Sequence, residues 1–555
     1  MTAWLPSWCS ETFLSCFSAH KYNQNKVRTA GLFSAIVKIL SVLAVCFIFC
    51  VRPASANNIS VTNQKLVEQD SSADTIKVQF DISWSNSWRD ATNYDAAWVF
   101  FKYSTDSGST WTHATLKTSG TNPTNFSQGS GTKIDIVVPT DKKGCFIQRS
   151  ALGSGSLSTT SIKAVWDYGQ DGVSDANASG SSTQVKVFAI EMVYIPQGGF
   201  YVGDGSDGTN GEIEFGGATA SLPGAINAEA GMSFGNSASQ WYYNAPGTPN
   251  SGEAADGAVF EVSAAFPKGY QAFYLMKYEI TEGQWVGFFN TLTSAQKTTR
   301  DITAASGKNS DSVTDRNTIS WASGSATTTR ADRVCNYLSW MDLCAYADWA
   351  GLRPITETEF EKACRGPIYP VDGEYAWGTT SATAGTNMTG SSEDGTETFS
   401  SPSNNNVNFG NTNMTGGDGP NRGPARAGIF ATSTSTTRVL SGAGFYGNLE
   451  LSGNGWEFVV TFGNATGRGY AGTHGDGNLT TLTSYEGNAT NKDWPGLDAT
   501  SSERGVTGAT GSGLRGGGWS QTTNRYMEVS NRDFAAKTDT TRTKDYGGRL
   551  ARTSP

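Results

Sequence analysis

The sequence predicts an α+β chain in two parts: an N-terminal antiparallel β-sandwich followed by a larger, loop-rich domain with few helices. Three observations predict it. Short stretches of alternating apolar and polar residues fill 57–190. Helix-start signals appear only after residue 270. Glycine is abundant at 65 of 555 residues while Phe, Trp and Tyr still make up 11%. That combination describes a folded, loop-rich chain cored by large rings rather than a disordered one. A chain of this length exceeds one ordinary core, so two or more domains are expected.

Residues 31–50, GLFSAIVKILSVLAVCFIFC, form an apolar run that follows Lys21, Lys26 and Arg28 and gives way to Ala54, Ser55 and Ala56. Charged start, apolar centre and small-residue exit describe a secretory signal peptide over 1–56, cut after Ala56. The alternative is a retained membrane anchor, since about 20 residues can span a bilayer. No later segment is apolar for long enough to span, so the expectation is a secreted, extracellular or cell-surface protein with no integral membrane span after cleavage. Without 1–56, 36 basic residues stand against 49 acidic ones, a net of −13 compared with −9 for the whole chain. This acidic balance, with no Lys/Arg clusters, argues against a nucleic-acid partner.

In 57–190 the strands follow one another. TIKVQFDISWSNSW alternates around Val78, Phe80, Ile82 and Trp84. AAWVFFKYSTDSGSTWTHATL reads as two strands joined by the turn TDSGS, and KIDIVVPT, SIKAVWDYG and QVKVFAIEMVYI follow with Gly/Ser/Asn turns between. Short strands at this spacing suggest an antiparallel sandwich. From 191 to 555 helices are few. Thr281 with Gln284 makes a capping box that Ile280 and Trp285 staple; Thr356 with Glu359, stapled by Ile355 and Phe360, repeats it. The second helix stops at Arg365-Gly366. Between them Val334, Leu338, Met341 and Ala345 recur at helical spacing up to Gly351. Gly/Asn/Thr/Ser-rich loops fill 366–555, with no clear internal repeat.

Four of the eight cysteines fall in the leader, leaving Cys145, Cys335, Cys344 and Cys364. Export permits disulfides, but four cysteines allow three pairings and the sequence does not choose. None forms a CxxC, so zinc held by cysteine is not expected. After the leader the histidines are His113 and His474, too few for a histidine-rich metal centre and poor material for a Ser-His-Asp triad.

The aromatic landmarks come in a set order: EMVYIPQGGFYVGD (191–204), FYLMKYEITEGQWVGFFN (273–290), LSWMDLCAYADWAGLRPITETEFEKACRG (338–366), EYAWG (374–378), GFYGNLELSGNGWEFV (444–459), LRGGGWS (514–520), then SNRD and YGGRLAR. Over about 191–555 this order resembles the formylglycine-generating enzyme, or sulfatase-modifying factor, domain. The resemblance implies a compact variant of the C-type lectin fold with little regular secondary structure. The residues before 191 resemble the sandwich that precedes such domains in some secreted bacterial proteins.

The resemblance carries an oxidase chemistry that these residues do not match. In the true enzymes a cysteine pair just after the RGGS-type motif binds copper(I), a soft ion that selects thiolates. Here Ser, Gln, Thr, Asn, Arg, Tyr and Met follow Arg515, and the last cysteine is Cys364. Copper is therefore not expected. Cys364 matches a family cysteine that is disulfide-bonded in some members to one further downstream, which this chain lacks. A non-haem-iron relative would need a histidine cluster that two isolated histidines do not supply.

Structural calcium, held by carboxylate, amide and main-chain oxygens, is what the resemblance implies instead. One site would use Glu279, Glu450 and the carbonyls of Gly453 and Gly455; a second would use Asn408, the Phe409 carbonyl and Asp418. Asn524, Arg525, Tyr526, Glu528, Asn531, Arg532 and Asp533 fall where the family lines its substrate cleft, and they form the candidate ligand-binding cluster. Inward-facing salt links are an equal alternative for them, and Arg515, Arg532 and Arg549 in particular read as structural guanidinium forks. Trp456 and Trp519 read as core.

The expected function is a non-catalytic domain that binds an unknown protein or glycan ligand on an exported protein. One alternative is a superfamily enzyme, sulfatase-modifying or non-haem-iron in type, with altered chemistry that uses Glu528, Asp533 or Tyr526. A rigid structural component of the cell envelope is the other.

Overall fold

Mostly sheet with few helices, and antiparallel almost throughout, the computed structural model describes residues 58–205, 210–218, 222–389, 395–410 and 422–555. The expected leader and Asp418 lie outside these residues.

Alternation becomes strand where expected. β1 (Ser60–Asp70) pairs with β2 (Thr75–Arg89). β3 (Tyr94–Ser104) turns back through TDSGS into β4 (Thr112–His113). β5 (Gly120–Thr121), β6 (Ile134–Val138) and β7 (Cys145–Arg149) pair in sequence. β8 (Gly153–Asp167) runs along β2, and β9 (Gln184–Ile195) runs along the whole of β3. Val78, Phe80, Ile82 and Trp84 of β2 bury against Ala97, Val99 and Phe101 of β3, with Ile136, Ile147 and Trp166 in the same cluster.

β3 is buried on both faces. Its other face, Ala96, Trp98 and Phe100, belongs to a second cluster that contains Trp285, Phe288, Trp340, Tyr346 and Trp349. This explains why AAWVFFKY is almost continuously apolar, the pattern of a strand covered on both sides. The division expected after residue 190 therefore does not appear as a break. It falls inside β9, which pairs with β3 on one edge and with the strand Phe273–Met276 on the other. From there the sheet continues through Leu550–Thr553 to Arg353–Pro354, and the described chain forms one compact unit.

Four helices carry complete capping boxes: α1 (Glu282–Phe289) from Thr281 and Gln284, α2 (Ser294–Arg300) from Thr293 and Gln296, α3 (Trp340–Ala350) from Ser339 and Asp342, and α4 (Glu357–Arg365) from Thr356 and Glu359. The third corrects the expected start at Val334. Val334 is extended and bridges to Thr281, and the helix begins only where Ser339 supplies an acceptor for the Asp342 N–H. Its end at Gly351 holds, with φ 68 in the left-handed region. A small sheet completes the frame: Trp456–Val460 pairs antiparallel with Ser512–Arg515 and parallel with Tyr546–Gly547.

Candidate functional site

The stretch LRGGGWSQTTNRYMEVSNRDF stands on a buried ionic frame. α4 presents Glu357 and Glu361 one turn apart. Arg532 Nε donates to Glu357 Oε2 at 2.8 Å, and Arg515 Nη2 donates to Glu361 Oε1 at 2.7 Å. Arg515 Nη1 also donates to the carbonyls of Val529 and Asn531, pinning the loop above it. Burial opposes the charge on Glu357, but Arg532 and Arg515 outweigh it and hold the carboxyl below its ordinary range. Arg549 grips Glu457 at 2.6 Å, but there burial outweighs the guanidinium and the carboxyl is raised. Trp456 and Trp519 are core side chains.

This frame divides the candidate ligand cluster. Arg532 is fully buried with its fork on Glu357, and Asn531 is buried with its Oδ1 accepting from Asp533 N–H. Both are thereby corrected from surface contacts to supports, because guanidinium and amide point into the protein. Asn524 and Arg525 are exposed, and Tyr526, Glu528 and Asp533 are half-buried. Arg525 Nε reaches Asp533 Oδ2 at 3.0 Å, and the Tyr526 ring rests on Trp456 and Phe534.

Glu528 is the unusual member. Burial first, then Asp204 and Asp372, push its carboxyl up to about 7 against the opposing Arg525. Asp204 reaches this place by accepting from Gly373 N–H, and Tyr375 bridges to Glu528. Exposed Ile368, Tyr369 and Val371 precede Asp372 on the same loop, with Tyr369 edge-on to Tyr201. The sequence reading missed Asp204 and Asp372, since nothing local ties residues so far from 528 to it.

Residues 245–554 match the family model described as the sulfatase-modifying factor enzyme 1-like domain. The chain belongs to this family. No curated protein matches it. The match begins at 245, inside the strand Trp241–Pro246, and not at the expected 191.

In this sulfatase-modifying factor domain Glu279, Glu450, Gly453, Gly455, Asn408 and Phe409, expected to hold calcium, are buried. Glu279 accepts from Gly455 N–H and Asn454 Nδ2 at 2.8 and 2.9 Å. Gly455 thus offers this carboxylate its N–H, where its carbonyl was expected as a ligand. Glu450, in the left-handed region at φ 54, accepts from Gly428 N–H at 3.0 Å. Gly453, also at positive φ, donates to Gly516 O. Burial, then Glu457, push Glu279 well up, and burial pushes Glu450 up to about 7. Asn408 of the second expected site donates to Asn454 Oδ1 at 2.9 Å, and its carbonyl accepts from Asn454 N–H. Asn454 therefore joins the two expected sites, a link the sequence reading missed. Phe409 packs with Trp377 and Met527, and Asp418 lies outside the described residues.

One test of fit favours a cation here: Glu457 Oε2 is buried without a hydrogen-bond partner, beside carboxylates that repel one another. One test disfavours it: among the described residues no three His, Cys, Asp or Glu side chains converge as a metal-ligand group. Met527 is buried, Ser520 and Gln521 are committed to Asp545, and no thiol follows Cys364. Cys145, Cys335, Cys344 and Cys364 are free and buried, and burial raises all four thiols, Cys145 to about 12, which disfavours the thiolate a metal requires. His113 stacks on Phe100, and His474 accepts from Thr553 N–H. Among the described residues no helix is long and apolar enough to cross a membrane.

Proposed function

We propose that this chain is an exported, cell-surface or extracellular protein whose sulfatase-modifying factor domain serves as a binding module for a protein or glycan. In this reading the N-terminal strands are a β-sandwich and residues 191–555 are a C-type-lectin-like domain. The observation that carries the reading is the chemistry around 514–534. A buried ionic frame stands beneath it, from Arg515 on Glu361 to Arg532 on Glu357, while no cysteine follows Cys364 to supply the thiolates that copper(I) selects. A rigid frame without its reactive sulfur is suited to presenting Asn524, Arg525, Tyr526, Glu528 and Asp533 to a partner. Incubation with a CxPxR sulfatase peptide is expected to leave the cysteine unmodified; an aldehyde product ends the reading.

Structural calcium belongs to the same proposal. Glu279 and Glu450 would hold the ion, with Gly453 and Asn408 shaping the loops around it. Elemental analysis of the purified protein is expected to find calcium and no stoichiometric redox metal.

One observation favours a second reading, an enzyme with altered chemistry. A half-buried carboxyl whose proton is held up to about 7 is poised for acid–base work. That reading requires an activity lost in Glu528→Gln without loss of ligand binding, whereas the binding reading expects no activity and weaker ligand binding in the variant.

A further inference from the structure

Three charged side chains unconnected with the candidate site meet where β3, β9 and the strand Phe273–Met276 lie side by side. Asp95 is on β3, Glu191 is on β9, and Lys277 directly follows Met276 with its N–H donating to Glu191 O at 2.9 Å. The registers Ala97↔Glu191, Asp95↔Val193 and Leu275↔Val193 put all three on one face of the sheet. Asp95, Lys277 and Glu191 are 0%, 2% and 3% exposed. Lys277 Nζ lies 3.0 Å from Glu191 Oε2 and 3.8 Å from Asp95 Oδ2, under the rings of Trp88 and Tyr278 at 5.2 and 5.4 Å.

The two carboxyls are served differently. Asp95 is surrounded by donors: Trp84 Nε1 on Oδ2 at 2.9 Å, and Ser87 Oγ and Trp88 N–H on Oδ1 at 2.9 and 3.0 Å. Glu191 holds Lys277 with its Oε2. Burial raises both acids. Two acids facing one ammonium in a dry site are best neutralised with one carboxyl protonated.

We propose that Lys277 and Asp95 are joined by an intramolecular amide bond, formed by the protein itself with Glu191 as the proton carrier. In the reacting state Asp95 carries the shared proton as the neutral acid, and the Glu191 carboxylate takes a proton from the Lys277 ammonium. The freed amine attacks the Asp95 carboxyl carbon, forming the N–C bond. A second amine proton passes to the Asp95 hydroxyl, the C–O bond breaks, and one water leaves; Glu191 ends protonated and no electrons are exchanged. Each partner is placed for its part. Glu191 touches Nζ, as a general base must. The three donors on Asp95 face the negative charge that develops on its oxygens. Fixed proximity supplies the effective concentration. Burial favours the product, because a neutral amide replaces charges kept from water. The bond would tie β3, which precedes the family match, covalently to the family domain.

Tandem mass spectrometry of a tryptic digest of the purified full-length protein tests this. The expected result is one branched peptide that carries both Asp95 and Lys277, lighter by one water than its two arms, with no cleavage after Lys277. Glu191→Gln, whose amide cannot take the proton, is expected to yield the two linear peptides. Separate linear peptides from the wild-type chain would reduce the three groups to an ion pair and overturn the proposal, whatever the variant does. A branch that maps to Glu191 instead of Asp95 would overturn it as well.

Discussion

Arg532 shows what a single residue's neighbours add to its letter. In the sequence it stands among Asn524, Arg525, Tyr526, Glu528, Asn531 and Asp533 as one polar residue of seven. In the fold it is fully buried on Glu357. Removing one partner of a buried pair leaves a charge without compensation, so Arg532→Ala is expected to cost about 3–5 kcal/mol, read from denaturant unfolding. Arg525→Ala, whose side chain is exposed, is expected to change stability by under ~1 kcal/mol and is the better probe of ligand binding. Equal losses from the two would contradict the frame. Asp342 carries a pH dependence. Burial opposes its charge, but Arg542 and Arg300 outweigh that and lower its carboxyl from 3.8 to about 2. A depressed folded value adds stability that is present above the unfolded value and lost as pH falls. Stability is thus expected to drop between about pH 4 and 2, and the drop is expected to shrink in Asp342→Asn. The raised carboxyl of Glu528 was not legible, because Asp204 and Asp372 reach it only through the fold.

Elements were legible where their signals are local. The capping boxes at Thr281 and Thr356 and the stop at Gly366 form as read, because each joins residues three or four apart whose hydrogen bonds hold in any tertiary setting. Thr356→Ala is expected to cost about 1 kcal/mol, measured as a lower thermal midpoint; an unchanged midpoint would mean that the buried surroundings of α4 hold its first turn without the cap. Helical spacing was a weaker guide than the cap. Val334 and Leu338 fit the period of α3, yet both lie before the helix, Val334 in a bridge to Thr281, and Ser339 with Asp342 sets the start. The same box at Thr293 and Gln296 opens α2, which carries no core stripe to draw notice.

At the scale of the molecule, the sheet that runs from β5 through β3 and β9 to Arg353–Pro354 makes the N-terminal strands and the family domain one body. Trp98 is a test of that union. It is buried at 0% exposure, its Nε1 donates to Ala350 O at 2.8 Å, and the Arg552 guanidinium lies 4.1 Å above its ring. Trp98→Ala is expected to cost about 3–5 kcal/mol with a single unfolding transition kept, since both parts share that core; two separated transitions would refute it. The calcium proposal is tested at the same scale. Chelation is expected to lower the thermal midpoint, with Glu279→Ala mimicking the loss, and calcium at ~100 times its dissociation constant is worth about 2.7 kcal/mol. By itself the sequence determined the strands, the caps, the family and the absence of cysteine beyond Cys364, because alternation, three-residue hydrogen-bonded loops and motif order are properties of neighbours along the chain. Only the tertiary structure decided which arginines support and which present, that Asn454 links the two expected calcium sites, and that β9 pairs with strands on both sides of residue 190. Those depend on which distant segments share a face, and burial acts on charges and rings by proximity in space, not in sequence.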